Sequence, residues 1–162
     1  MSSFNIRKLS NLFLGIALFA VPLLIWAGPS LTINNMTTDR HIQLKDIEAG
    51  YRTWLSEWKV EKKETPEIEP GKDYTLTLGA YEWFNEGSNW TSSMTLYVWR
   101  LGDRSRARTP GVKISLDEKD PKVADLSVKI ERENCRDTTN VPFGIFNYCD
   151  FKITVSPMER NP

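Results

Sequence analysis

The sequence predicts an all-β fold: an antiparallel β-sandwich of immunoglobulin-like, Greek-key type with about eight strands, carried on one N-terminal transmembrane helix. Three observations predict it. Apolar residues alternate with polar ones from Leu31 to Val155. Turn-forming clusters interrupt that alternation at short intervals. The first thirty residues have a different composition from the rest.

Residues 1–30 carry Arg7 and Lys8, no acid, and an uncharged run from Leu12 to Gly28. The run holds Leu12, Phe13, Leu14, Ile16, Leu18, Phe19, Val21, Leu23, Leu24, Ile25 and Trp26. Counted from Leu9 to Gly28 as a helix, it is about 30 Å long, the thickness of a bilayer core. The basic pair holds the N-terminus in the cytoplasm, and Trp26 falls at the far interface, where an amphipathic ring is favoured. Pro22 is tolerable within such a helix. A cleaved signal peptide is the competing reading. The anchor is preferred because Ile25-Trp26-Ala27 is not a clean small-x-small site and Pro29 follows closely. Either way, residues 31–162 form a β-sandwich domain outside the cytoplasm.

The whole chain has 21 basic and 21 acidic residues. With Arg7 and Lys8 set aside, the domain nets about −2, which argues against nucleic acid as a partner, because phosphate binding needs a strongly basic face.

Each strand is expected from period-two alternation, one apolar face per strand. The sets are Leu31 and Ile33; Ile42 and Leu44; Trp54, Ser56, Trp58 and Val60; Tyr74, Leu76 and Leu78; Met94, Leu96 and Val98; Val112, Ile114 and Leu116; Leu126, Val128 and Ile130; Phe151, Ile153 and Val155. Between them stand Asn34-Asn35, Pro70-Gly71, Gly87-Ser88-Asn89, Pro110-Gly111, Asp120-Pro121 and Pro142-Phe143-Gly144. A helix over Gln43 to Trp58 is disfavoured by Gly50 and the β-formers Tyr51, Thr53 and Trp54. Glu61 to Glu69 reads as a charged, exposed connector. Ile68-Glu69-Pro70-Gly71-Lys72 reads as a turn into the next strand.

Cys135 and Cys149 are the only cysteines. Outside the cytoplasm they are expected to pair. Closing that loop contributes about 3 kcal/mol in the chain-entropy model. A Cys-x-x-Cys redox motif is absent, and with one histidine the chain has too few soft ligands for zinc. No metal or cofactor is expected.

Catalytic signals are weak. His41 is the only histidine, and no nucleophile or oxyanion motif accompanies it in the sequence. Glycine loops for phosphate, dinucleotide fingerprints and nucleophile elbows do not occur. Asp117-Glu118-Lys119-Asp120 reads as a solvated loop. Two features point to binding instead. Arg100, Arg104, Arg106 and Arg108 cluster in one interstrand loop, where guanidinium groups suit carboxylate or phosphate. The same loop also suits a solvated hairpin whose arginines pair with nearby acids. Trp83, Phe84 and Trp90 flank Asn85–Asn89 and suit a protein, lipid or sugar surface. Two sequons, Asn35-Met36-Thr37 and Asn89-Trp90-Thr91, are present.

Asn35-x-Thr37-x-x-Arg40-x-Ile42-x-Leu44-Lys45-x-Ile47, followed by Ile68-x-Pro70-Gly71-Lys72, resembles the opening half of aegerolysins. Those are small β-sandwich proteins that bind membrane lipids. The resemblance covers roughly a third of the chain and stops near Trp54, where the family's Trp-Gly-Lys-Phe segment is missing; the family is therefore not assigned.

The sequence thus implies a non-enzymatic interaction module tethered to a bilayer, an accessory subunit whose partners are other subunits of a membrane complex. The alternative is a secreted lipid- or glycan-binding sandwich released from a signal peptide. A hydrolase centred on His41 is the third reading.

Overall fold

A computed structural model describes residues 28–52, 58–79, 82–87, 90–100, 102–103, 110–137 and 147–158. The expected anchor, Leu12 to Trp26, lies outside them, as do Arg104, Arg106 and Arg108. The described residues are all-β, with several sheets and no helix; among them no helix is long and apolar enough to cross a membrane.

The strands follow the alternation. β1 (Ser30–Asn35) buries every second residue, starting with Leu31. β2 (Arg40–Lys45) buries Ile42 and Leu44. β3 (Ile47–Arg52), β4 (Trp58–Lys63) and β5 (Asp73–Thr77) come next. Two-residue strands β6 (Glu82–Trp83), β7 (Glu86–Gly87) and β8 (Trp90–Thr91) precede β9 (Ser93–Arg100). β10 (Val112–Ser115), β11 (Lys122–Val123), β12 (Leu126–Asp137) and β13 (Asn147–Pro157) complete the order.

Nine strands of four residues or more exceed the expected count by β3; of the set Trp54, Ser56, Trp58 and Val60, the last two fall in β4 with Val60 exposed, while Trp54 and Ser56 lie outside the described residues. Glu61 to Glu69 is not an exposed connector. Its first half belongs to β4, paired with β3. Its second half buries Thr65 and Ile68 and bonds to β2, Thr65 N–H to the Leu44 carbonyl and Ile68 N–H to the Ile42 carbonyl. Charged side chains in this stretch face solvent while single apolar residues turn inward, a pattern too sparse to read as a strand.

The five-stranded sheet has the order β11-β12-β13-β1-β5. Two three-stranded sheets, β10-β9-β2 and β4-β3-β6, share the run from β2 into β3, kinked at Asp46, whose φ is 52°. A short carboxamide or carboxylate side chain tolerates that left-handed backbone. Leu31, Ile33, Val128, Phe151 and Ile153 of the first sheet share one buried cluster with Ile42, Leu44, Met94, Leu96 and Ile114 of the second. Described pairings are antiparallel except that of β1 with β13, which is parallel. A parallel pair cannot be closed by a hairpin. Here the rest of the chain makes the connection, since β1 and β13 are the first and last strands described.

Asn35 ties the layers together. It is 1% exposed. Its amide nitrogen donates to the carbonyls of Arg40 (2.8 Å) and Ile68 (3.0 Å). Its amide oxygen accepts from Thr37 N–H at 3.2 Å. The Thr37 hydroxyl lies 2.6 Å from that oxygen and 2.9 Å from the Arg40 carbonyl, and gives its single hydrogen to one of them. On the backbone, Asn35 N–H bonds the Lys72 carbonyl and Gly71 N–H bonds the Asn35 carbonyl. Pro70-Gly71 forms the turn expected there, with Gly71 at φ 69° and Lys72 N–H bonded back to the Glu69 carbonyl, the geometry glycine adopts most easily.

Replacing Asn35 by alanine removes one donor each from the Arg40 and Ile68 carbonyls and the acceptor that faces Thr37 N–H, all in a buried position. Asn35→Ala is expected to lower unfolding free energy by about 2–4 kcal/mol, whereas Met36→Ala, on an exposed neighbour, changes it by about 0.5 kcal/mol or less. Denaturant titration followed by tryptophan fluorescence checks both.

Candidate functional site

The described functional candidates separate into two ends and one outer face. At the first end the chain enters the fold. Ser30 N–H and hydroxyl both donate to Asp150 Oδ1, at 2.7 and 2.9 Å. Asn134 donates to the other oxygen of that carboxylate at 3.1 Å. Leu78 N–H bonds the Pro29 carbonyl. A Cβ on Gly28 would meet the Gly79 carbonyl oxygen at 2.2 Å, so only glycine fits this close approach. Gly79 N–H in turn donates to Glu82, whose second oxygen meets Lys63 at 3.0 Å. Burial pushes the Glu82 carboxyl up, but the Gly79 N–H and the Lys63 ammonium outweigh it and hold it below its ordinary value.

The Cys135–Cys149 disulfide forms at this same end. The β12–β13 ladder shifts register between Glu133 and Arg136, where Asn134 takes φ 49°. This is a bulge: an extra residue on one strand re-aims the side chains beside it. It brings Cys135 opposite Cys149, with their Cα atoms 4.0 Å apart.

The second end gathers the close of β1, the start of β2 and the close of β9. Arg40 makes a two-pronged contact with Asp125: Nη1 donates to Oδ1 at 2.8 Å and Nη2 donates to Oδ2. Asp125 sits in the β11–β12 turn beside Ala124, whose φ is 54°. The Arg40 guanidinium holds the Asp125 carboxyl below its ordinary value, and the charge of Arg100 adds to the effect. Arg100 is exposed and stands opposite Arg40 in the β2–β9 register. Two exposed methionines lie here as well: Met36 (62% exposed) bonds through its N–H to the Val155 carbonyl, and Met158 (43%) to the Asp125 carbonyl.

His41 lies on the outer face of β2, paired in register with Trp99 of β9. Their rings stack at 6.0 Å, tilted 7°. Trp99 is only 7% exposed, yet it is not part of the core cluster. His41 Nδ1 lies 2.8 Å from Glu67 Oε1 without hydrogen-bond geometry. The contact is therefore an ion pair when the ring is protonated. Tyr97 continues this face, 5.9 Å beneath Lys45. The Glu67 carboxylate and the Trp99 indole hold the imidazole in place on this face.

Among the described residues, the expected aromatic and arginine candidates fall on different parts of the fold. Trp83 pairs with Gly50 of β3, and Trp90 precedes β9. Trp83 stands next to Glu82 in β6, at the chain-entry end. Arg100 closes β9 at the opposite end. Eight residues of β9 separate the groups, about 23 Å of strand. Trp83 is half-buried. Phe84 is corrected: at 3% exposure it is a core residue, meeting Phe151 edge-to-face at 5.6 Å. It follows β6 directly, so its ring turns inward as the neighbouring Trp83 turns aside. Asp150, Asn134 and Asp125 were missed by the sequence reading. Each acts through a partner 16 to 120 residues away, and no local motif marks such pairs. Among the described residues no group of three or more His, Cys, Asp or Glu side chains converges on a metal site.

The depressed Asp125 carboxyl has a pH signature. Its ordinary value is 3.8 and the folded value is lower, so the Arg40 contact stabilises the fold above about pH 4 and is lost as pH falls through the folded value. Urea unfolding of wild type and Asp125→Asn is expected to differ at pH 6, with the difference shrinking as pH falls below 4. As to known proteins, no family model matches the chain, and no curated protein and no solved structure shows significant similarity to it.

Proposed function

We propose that this chain is a single-pass, membrane-anchored extracytoplasmic module of immunoglobulin-like β-sandwich type. It acts by binding rather than catalysis, as an accessory subunit of a membrane protein complex. The observation that carries the reading is the join between segment and domain. The apolar run ends at Gly28, and Gly28 is already packed against Gly79. Ser30 is clamped by Asp150 two residues later. A segment of bilayer length thus passes into a folded sheet without a linker. The disulfide supports an oxidising compartment on the domain's side.

Tethering raises the local concentration of the module beside its partner, so a modest contact suffices. The end away from the tether suits that contact. Met36 and Met158 offer adaptable apolar surface, and Arg100 beside the Arg40–Asp125 pair adds positive charge at the rim. The matching partner is a subunit with an acidic rim.

Affinity purification of the full chain in mild detergent is expected to recover partner subunits, and Arg100→Glu to reduce that recovery roughly tenfold, the effect of about 1.4 kcal/mol. Recovery as a lone monomer overturns the reading. Intact mass of the mature chain is expected to include residues 1–27 and to lack the two hydrogens removed by the disulfide.

A further inference from the structure

A sheet edge offers unpaired backbone donors and acceptors, and a protein that keeps such an edge to itself guards it with lysine, proline, a bulge, a cover or a short strand. Most edges described in this chain are guarded in one of these ways. β4, at the edge of its sheet, carries Lys59, Glu61, Lys62 and Lys63. β10 carries Lys113 and follows Pro110-Gly111. The side of β2 away from β9 is covered where Thr65 and Ile68 bond the Leu44 and Ile42 carbonyls. β12 beyond its short pairing with β11 carries Lys129, Glu131, Arg132 and Glu133, then a bulge. β6, β7, β8 and β11 are two residues long.

β5 differs. It closes one side of the five-stranded sheet, and among the described residues no strand pairs beyond it. Its sequence, Asp-Tyr-Thr-Leu-Thr, holds no lysine and no proline, and its ladder with β1 runs without a bulge. The register fixes which backbone groups are free. Leu78 N–H bonds the Pro29 carbonyl at one end of the pairing, and Asn35 N–H bonds the Lys72 carbonyl at the other. Hydrogen-bonded and non-bonded pairs alternate along an antiparallel ladder. Tyr74 and Leu76 therefore turn their backbone groups toward β1, while Asp73, Thr75 and Thr77 turn theirs out of the sheet. These three residues are exposed, and each brings one donor and one acceptor.

We infer that β5 is a pairing site for a second copy of this chain, the two β5 strands meeting antiparallel about a two-fold axis at Thr75. In that register Thr75 faces Thr75 of the other copy, and Asp73 faces Thr77. The outward donors and acceptors of all three residues are then matched, whereas a slip to the next register sets Thr77 against Gly71 in the turn. The charges agree with the same register. Asp73 is the only charged residue of β5; it meets a hydroxyl, and the two Asp73 carboxylates stand four residues apart along the ladder, about 13 Å. Tyr74 faces Leu76 of the other copy. Both are partly buried against the core cluster, and the pairing covers the sides that the edge leaves open. On the outer face the Thr32 and Thr75 hydroxyls, 3.2 Å apart, continue into the matching pair of the other copy, a cross-strand hydroxyl row of the kind that stabilises sheets. An edge that complements itself in hydrogen bonds, charge and side-chain size makes an isologous contact. The Ser30 ends of the two copies point in opposite directions, and the pairing does not rest on the tethered reading above.

The test uses the full chain in mild detergent, with circular dichroism and intact mass reporting the strands and the disulfide of each preparation. Sedimentation over a concentration series is expected to show a monomer–dimer equilibrium for wild type. Thr75→Lys sets two ammonium groups face to face at the axis and is expected to weaken association by roughly tenfold or more. Mild oxidation is expected to cross-link Thr75→Cys into a dimer, because directly opposed residues stand about 5.5 Å apart at Cα, within disulfide reach. The same treatment is expected to leave Thr77→Cys uncross-linked on its own and to cross-link it when mixed with Asp73→Cys. Folded wild type that stays monomeric through the series overturns the pairing. So does a dimer whose association Thr75→Lys leaves unchanged, or a Thr77→Cys chain that cross-links to itself as readily as Thr75→Cys does. If Thr75→Lys does not fold, wild-type sedimentation and the cysteine variants decide by the same criteria.

Discussion

The fold depends on a carboxamide that has no access to water. Asn35 ends β1, and its side chain holds the start of β2 through the Arg40 carbonyl and the approach to β5 through the Ile68 carbonyl. Hydrophobic burial alone would press the sheets together without fixing their relative position, because apolar contact has no direction. The amide supplies the direction. Two donated and two neighbouring accepted contacts are satisfied only when three separate segments stand in one arrangement, and a buried group left unsatisfied costs more than a made bond returns. The Arg40–Asp125 contact extends the same junction to the β11–β12 turn.

This junction also separates the surfaces. Strands run from it toward the entry point of the chain, so residues close in sequence are carried to opposite ends. Arg100 remains near the junction while Trp83 and Trp90 travel away from it. A sequence reading joins such groups because it measures distance along the chain. The fold measures it along strands, and in β9 that sets Arg100 about 23 Å from the strand's other end.

Much of the architecture was legible beforehand because burial dictates period two. β1, β2, β5, β9, β10, β12 and β13 each carry apolar residues at alternate positions, and each is a strand. β4 was only partly legible, through Trp58 and Val60, because this edge strand is otherwise made of lysine and glutamate, which hide the alternation. The parallel β1–β13 pair joins residues some 120 apart, and single-sequence patterns carry no record of such partners. The disulfide was legible from the cysteine count, but not the bulge at Asn134 that aligns the two sulfurs. Of the candidate site, Arg100 and Trp83 stand at surfaces, whereas Phe84 was misplaced because inward and outward positions cannot be told apart within a two-residue strand.

The buried amide of Asn35 has a chemical consequence beyond packing. Asn35-Met36-Thr37 is an acceptor tripeptide for N-linked oligosaccharide. The nitrogen that would carry the sugar is the same atom that donates to Arg40 and Ile68. A transferase acting on the nascent chain would reach that atom before the strands close around it. The bulky substituent would then consume a donor and occupy space the core leaves for none. In any secretory route that performs this reaction, maturation becomes a race between two enzymatic and conformational clocks for one nitrogen, and only the unmodified product can complete the junction.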